Sequence, residues 1–419
     1  MQRTTTSNNS LANLYLLIIL SLTYSAAHYW PILRYAMFFI IIGFGLPLLL
    51  SRKFFSTKMF WWWLVYIFVV AINVVIGDKY FDSVMRLLYE AAYLFIPTSM
   101  MYYAFSSDDT LFRKRSLMLF FVILVLTTIA TAYIYYLYPG VIRHVFRYSE
   151  QENEGFYDSL YKMGLMKYSL PHALSCLIPV IILGLKNHTI KRFYRWMLWL
   201  VFFSLLLSVY YSGSFACMIL TIGELIIALV VKKGNVSDNL SRLLVFAMAL
   251  GIILTPSVRN SILDGLESRL DTESDFYIKI VELQEIEEAE DASEVEGDFK
   301  GRLILYSKSI DAGASSLLIG TKGESLGRHS SFLDRFGTLG IVGIIPYLLF
   351  LFAAISYLWN SFLPNTKVYY LIGLISNLFM LLFKSVNSWD FWFVTLFVLP
   401  IALKELSSRE ESHIVNEKA

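Results

Sequence analysis

The hydrophobic residues of this chain fall in long blocks that short polar links separate. A helix needs about 20 apolar residues to cross the hydrocarbon core of a bilayer, and a helix satisfies its own backbone polar groups there. The blocks therefore predict an all-α, polytopic membrane protein with about twelve transmembrane helices. The predicted spans are 11–29, 31–50, 59–77, 84–105, 116–138, 168–185, 194–211, 214–231, 242–256, 337–358, 368–384 and 390–404.

The same pattern divides the chain into four parts. Residues 1–256 hold the first nine predicted helices and a smaller outer loop at 139–167, and residues 257–336 form one large late loop that contains short helices. Residues 337–404 hold the last three helices, and residues 405–419 form a tail. The first apolar run has no small-residue cleavage site, so we expect a first span there rather than a removed signal peptide.

The composition agrees with a lipid environment. Hydrophobic residues make up 57% of the chain and charged residues only 16%, against about 25% charged in soluble domains. The net charge of +2 gives no reason to expect a nucleic-acid partner. Cys176 and Cys217 lie in apolar blocks, which favours packing over a disulfide or a metal site. We find no metal-ligand cluster or cofactor motif, and the missing Walker loop disfavours an ATP-driven pump.

Basic residues in alternate short links predict the orientation, because cytoplasmic loops carry an excess of lysine and arginine. Both termini then lie in the cytoplasm and both long loops lie on the outer side. The residues that set this orientation are Arg52, Lys53, Lys58, Arg113, Lys114, Arg115, Lys186, Lys191, Arg192, Arg195, Lys232, Lys233 and Arg242.

The large loop begins with an acidic stretch and ends with a glycine-rich one. For the acidic part, 264–298, a solvated face is favoured over a calcium site, because the EF-hand spacing is absent. In the second part, 301–343, apolar residues predict a helix that lies against the membrane, followed by irregular chain. Ser331 and Asp334 have the spacing of a capping box at the start of the tenth span, which places His329 just before a helix N-terminus.

That position favours proton transfer by His329. The partial positive charge of a helix N-terminus and the neighbouring Arg328 both disfavour the imidazolium ion and hold the ring in its proton-accepting form. The same helix end suits an anion such as a phosphate. The alternative is that these side chains are interfacial anchors, and the spacing by itself favours that alternative.

Two ionisable residues fall inside the fourth predicted span. Arg86 and Glu90 are four residues apart and so share one helix face. Charges inside a span usually face a partner or a cavity. A structural pair is favoured over the wall of a substrate cavity.

These residues carry a family resemblance. His329-Ser330-Ser331-Phe332-Leu333-Asp334, followed by Gly337 and Gly340-Ile341-Val342-Gly343, resembles the HSxxLD…GxxG pattern of bacterial O-antigen polymerases (Wzy-type), which belong to a superfamily with the O-antigen ligases. Arg302 and Gly313 match the Arg-x10-Gly spacing of polymerase loops, and Leu318-Ile319-Gly320 is similar to the apolar–apolar–glycine step before the histidine.

The smaller outer loop departs from the family pattern. Arg143 and Arg147 are present, but Glu154 and Asp158 stand where the Arg-x10-Gly spacing requires glycine. The choice between Arg143 and Arg147 as the counterpart of the family's arginine therefore stays open. His172 stands where the family usually has asparagine.

The resemblance implies a glycosyltransferase that needs neither a nucleotide sugar nor a cofactor. Such a polymerase joins oligosaccharide repeat units carried on undecaprenyl diphosphate at the periplasmic face, and a chain-length regulator protein is an expected partner. His329 would be the catalytic base, and arginines would bind the leaving diphosphate with forked hydrogen bonds. The implied diphosphate-binding residues are Arg302, Arg328, Arg147 and Arg143, and the supporting residues are Ser330, Ser331, Asp334 and Gly313.

Two alternatives stay open. An O-antigen ligase performs the same chemistry with lipid A core as the acceptor. A flippase for lipid-linked sugars suits twelve spans, but transporters usually show paired halves, broken helices and midplane charges, and the sequence shows no such paired halves.

Overall fold

The computed structural model describes residues 53–76, 84–106, 109–137, 169–187, 190–211, 214–253 apart from 233 and 235, 281, 298–321, 326, 330–383 and 389–407. Among these residues the protein is all-helical, as predicted, and contains no strand. Five helices are long and apolar enough to cross a membrane, namely Lys58–Ile76, Thr110–Ile134, Arg192–Tyr211, Ser331–Ser361 and Pro364–Phe383. The first two predicted spans lie outside the described residues.

Twelve α-helices are named here in chain order. They are α1 Lys58–Ile76, α2 Val84–Ser106, α3 Thr110–Leu137, α4 Ser169–Leu174, α5 Ile178–Lys186, α6 Arg192–Tyr211, α7 Phe215–Val230, α8 Val236–Ile253, α9 Asp298–Ser315, α10 Ser331–Ser361, α11 Pro364–Phe383 and α12 Trp389–Phe393.

One predicted span contains a short 3-10 segment. Within the predicted span 168–185, a 3-10 turn over Ser175–Leu177 stands between α4 and α5, and Leu174, Leu177 and Ile178 keep right-handed helical dihedral angles. Pro171–Lys186 is therefore one continuous apolar helix, as predicted over these residues. Pro179 stands at the start of α5, where proline has no backbone N–H to donate to the preceding turn.

The last helix is also irregular. After α12 the chain passes through a π-helical turn, Val394–Val398, and continues as an α-helix over 399–407. The hydroxyl of Thr395, inside this turn, accepts a hydrogen bond from Asn377 Nδ2 of α11 at 2.7 Å. Single π-helical turns in α-helices occur frequently at functional sites.

The packing places α10 at the centre of one helix group. Helix α10 packs along α1 and also contacts α9 and α11. Helix α7 packs on α5 and α11, and α6 packs on α3. Large aromatic side chains, among them Tyr66, Tyr93, Tyr347 and Trp392, are fully buried between these helices, and each contributes a large apolar area to the core.

The C-terminal end of α7 is capped by a lysine from another helix. Lys186 Nζ donates to the carbonyls of Ala228, Leu229 and Val231 at 2.7, 2.8 and 2.9 Å. The last carbonyls of a helix have no partner inside the helix and favour a cation. Lys186 is one of the basic residues that set the predicted orientation, so this end of α7 is the predicted cytoplasmic end.

Candidate functional site

Asp334 joins the loop helix α9 to the N-terminus of α10. Its Oδ1 accepts a hydrogen bond from Ser309 Oγ at 2.7 Å, and its Oδ2 accepts one from the Ser330 backbone N–H at 3.2 Å. The carboxyl group is buried, and a negative charge in the first turn of a helix is stabilised by the helix dipole. Asp334 therefore supports the site structurally, as a residue between two helices.

Ser330, rather than Ser331, is the N-cap of α10. The Ser330 hydroxyl accepts from the Leu333 backbone N–H at 3.2 Å, whereas the sequence spacing indicated Ser331 as the cap. Asp334 then stands four residues after the cap and bonds back to the Ser330 N–H. The reciprocal pattern of a capping box is thus present, displaced by one residue. Ser331 is buried in the first turn.

The face of α9 that meets α10 carries the predicted arginine. Arg302, Tyr306, Ser309 and Gly313 are spaced by four, three and four residues, which puts them on one side of an α-helix. Gly313 lies against the Phe336 ring, and an added Cβ would come within 2.3 Å of it. The Arg-x10-Gly spacing therefore selects two residues of one helix face, three turns apart.

The glycine motifs meet at a crossing of two backbone segments. The N–H groups of Ile341 and Val342 donate to the carbonyls of Leu317 and Leu318 at 2.9 and 3.1 Å. These N–H groups are available because Gly340 interrupts α10 with a φ of 58° and a ψ of −159°. A Cβ on Gly340 would lie 2.5 Å from the Leu318 backbone. The segment with Leu317 and Leu318 and the segment with Ile341 and Val342 thus hydrogen-bond to each other directly.

A buried arginine network lies near the start of α10. Arg335 Nη2 donates to Glu90 Oε1 of α2 at 2.5 Å, and Arg335 Nε donates to the Tyr66 hydroxyl of α1 at 2.9 Å. The Tyr66 and Tyr93 hydroxyls each donate to Glu90 Oε1 at 2.5 Å. The guanidinium also contacts the Tyr93 hydroxyl and lies 4.6 Å from the centroid of the Tyr347 ring.

This network was missed by the sequence analysis, which considered Arg86 as the partner of Glu90. A signal was present, because a carboxylate in a span requires a cationic partner and Arg335 opens the tenth span. The structure favours the structural interpretation of Glu90 over a cavity wall, since its carboxylate is enclosed by Arg335 and two tyrosines. The Arg86 side chain lies outside the described residues.

Tyr306 lies on the same face of α9 as Arg302 and joins α9 to α11. Its hydroxyl donates to the Phe383 carbonyl at the end of α11 at 2.7 Å. Burial raises the pKa of the Tyr306 phenol, the charge of Arg302 lowers it, and the charge of Asp334 raises it.

The remaining predicted site residues lie outside the described part of the chain. These are His329, Arg328, Arg143 and Arg147, and their assignments stay predictions. His329 directly precedes the N-cap Ser330 in sequence. Of the predicted set, the structure brings Arg302, Gly313, Ser330, Ser331 and Asp334 together around the contact of α9 with α10.

Apolar side chains are exposed on α9 and on the turn after it. Leu303, Ile304 and Ile310 are exposed beside Lys308 and Asp311, and Leu318 and Ile319 of the turn are each 66% exposed. Exposed apolar side chains with a basic neighbour suit a membrane interface. The described part of the site thus offers one arginine, a helix N-terminus and an apolar surface, which suit an anionic lipid. No group of three potential metal ligands occurs among the described residues.

Comparison with known proteins gives no further assignment. No protein-family model matches the chain, and no curated protein matches it at a significant level.

Proposed function

We propose that this protein is an O-antigen polymerase that joins oligosaccharide repeat units carried on undecaprenyl diphosphate at the periplasmic face of the inner membrane. One observation carries the proposal. Asp334 fixes the helix with Arg302 to the helix end that directly follows His329. The position of His329 in the chain, directly before this junction, supports a base that acts together with a phosphate-binding group, as this reaction requires.

The apolar surface of α9 supports a lipid-linked substrate. A polyprenyl diphosphate must enter from the side, with its tail in the bilayer and its diphosphate at the interface. Exposed Leu303, Ile304 and Ile310 give α9 a surface that fits this depth. The Arg302 guanidinium then meets a phosphate at the level of the headgroups, where a forked donor binds two phosphate oxygens.

The proposed reaction is a direct displacement at an anomeric carbon. Neutral His329 accepts the proton of an acceptor hydroxyl as its oxygen forms a bond to that carbon. The bond from the carbon to the diphosphate oxygen breaks, and its electron pair leaves with undecaprenyl diphosphate. Arg302, with Arg328 and either Arg143 or Arg147, stabilises that anion, an effect that often dominates catalysis. The proton then passes from the imidazolium ion to solvent.

Lipopolysaccharide banding tests this function. A strain that lacks its own copy of the gene is complemented with the wild type, with Arg302→Lys, and with Lys308→Ala as a control on the exposed side of α9. We expect long chains with the wild type and the control and shorter or fewer chains with Arg302→Lys, because lysine cannot bind a diphosphate through a fork. Bare core in the uncomplemented strain would instead indicate the ligase.

A flippase for lipid-linked sugars is the second candidate, and one observation favours it. Glu224 is a buried carboxylate inside an apolar helix, and midplane charges are typical of transporters. Purified protein in detergent distinguishes the two, because an enzyme lengthens glycan there whereas a flippase needs two compartments.

A further inference from the structure

A buried carboxylate without a hydrogen-bond partner lies in the middle of α7. Glu224 is 4% exposed, and neither of its carboxylate oxygens accepts a hydrogen bond from any described residue. The buried carboxylates Glu90 and Glu405, by contrast, form ion pairs with Arg335 and Arg113 at 2.5 and 2.7 Å. A lone charge in an apolar environment is costly, so Glu224 requires another way to be neutral.

Other buried oxygens without partners surround this carboxylate. Thr221 stands one turn before Glu224 on the same face of α7, and Ser376 of α11 lies beside the carboxyl group. The Thr221 hydroxyl, the Ser376 hydroxyl and Asn377 Oδ1 are all buried and lack hydrogen-bond partners among the described residues. Buried polar atoms are normally paired, so these oxygens on the two contacting helices α7 and α11 require an explanation.

The backbone at this place is irregular. Cys176, in the 3-10 turn between α4 and α5, interacts electrostatically with Glu224. The turn approaches α11 so closely that a Cβ on Gly373 would lie 2.6 Å from the Cys176 carbonyl oxygen.

We propose that Glu224, Thr221, Ser376 and Asn377 form an intramembrane binding site for a monovalent metal cation of the size of Na⁺. A proton on Glu224 would neutralise the carboxyl group, and the Ser376 hydroxyl beside it would donate to it, but Asn377 Oδ1 only accepts and would still lack a donor among the described residues. A cation coordinated by several oxygens engages all of them, and hard cations prefer oxygen ligands. A single positive charge neutralises the carboxylate, whereas a divalent ion would leave a net charge in the apolar interior.

Thermal unfolding of the full-length protein in detergent tests the site. The probe is NaCl, with choline chloride at equal ionic strength as the control for general salt effects. We expect the midpoint to rise by several degrees with Na⁺ and to saturate, because a ligand bound only by the folded state stabilises it. Glu224→Gln should remove the rise, and Ser376→Ala should shift the half-saturating Na⁺ concentration upward by about tenfold.

Ser99→Ala is the matched control variant. The Ser99 hydroxyl is also buried in a helix, but it donates to the Ile96 carbonyl, so the Na⁺ response should stay as in the wild type. Equal stabilisation of the wild type by choline and Na⁺ would overturn the proposal. A second outcome would also overturn it: the wild-type midpoint does not respond to Na⁺ but rises on acidification, and Glu224→Gln abolishes this pH response. Glu224 would then be neutralised by a proton. The wild-type salt series decides the matter even if Glu224→Gln fails to fold.

Discussion

Arg335 and Glu90 form a buried ion pair at 2.5 Å that joins the start of α10 to α2. The pair is enclosed by the Tyr66 and Tyr93 hydroxyls, which both donate to the same Glu90 oxygen. Arg335 follows Asp334 directly, so one helical turn holds two anchors. Asp334 binds the loop helix α9, and Arg335 binds the transmembrane core. The position of the proposed site relative to the membrane depends on both.

Removal of one partner of this pair should strongly destabilise the protein. Glu90→Gln leaves a buried guanidinium without a counter-charge, which typically costs about 3–5 kcal/mol. The melting temperature in detergent should fall well below that of the wild type. The double variant Glu90→Leu with Arg335→Met removes both charges and should recover much of the loss. If Glu90→Gln melts like the wild type, the ion pair does not hold α10 in place.

Loss of the Asp334 junction should reduce polymer while the protein still folds. Asp334→Asn weakens the hydrogen bonds that residue 334 accepts from the Ser309 hydroxyl and the Ser330 N–H, so α9 is no longer fixed against α10. Ser309→Ala removes one of these bonds, worth about 1 kcal/mol, and should have a smaller effect. Ser307→Ala, at an exposed position of α9, is the control. Chain length on gels and protein level on blots are compared, and unchanged polymer in Asp334→Asn contradicts the assigned role.

The crossing at Gly340 should not tolerate a side chain. Gly340→Ala combines a positive φ with a Cβ that would lie 2.5 Å from the Leu318 backbone. We therefore expect the free energy of unfolding to fall by about 1–3 kcal/mol. Gly223→Ala in α7 is the control, because a Cβ there meets no atom within 4 Å, and alanine should be neutral or stabilising by up to about 1 kcal/mol. Equal melting temperatures for the two variants would refute the close backbone approach.

The phenol of Tyr306 should make the stability of the protein sensitive to alkaline pH. Burial raises the pKa of this group above its usual value of 10 in the folded state. The folded protein therefore retains this proton more strongly, and the contribution to stability is present below pH 10 and lost as the pH rises through and above it. Between pH 9 and 11 the melting temperature of the wild type should decline more steeply than that of Tyr306→Phe. Parallel declines would show that Tyr306 titrates normally.

The fold class followed from the sequence because apolar block length is set by bilayer thickness. The helices α1, α3, α6, α10 and α11 confirm this at five places. The 3-10 turn at Ser175–Leu177 and the π-helical turn at Val394–Val398 could not be predicted in this way, because hydropathy averages over local backbone geometry.

The candidate site was predictable only in its local parts. The spacing of Arg302 and Gly313 and the cap near Ser330 depend on helix periodicity, which sequence distance reveals. The pairs Arg335–Glu90 and Ser309–Asp334 join different helices, and nothing in the local sequence encodes which partner each residue meets. Glu224 lacked any sequence signal beyond being a charge in an apolar block.

Chain elongation by purified protein in detergent tests the central claim most directly. The wild type and Lys308→Ala should lengthen lipid-linked repeat units without a nucleotide sugar, and His329→Ala should be slower by at least about a hundredfold, as for loss of a general base. Full-length polymer from His329→Ala at the wild-type rate, or no elongation by the wild type outside a sealed membrane, would contradict the account.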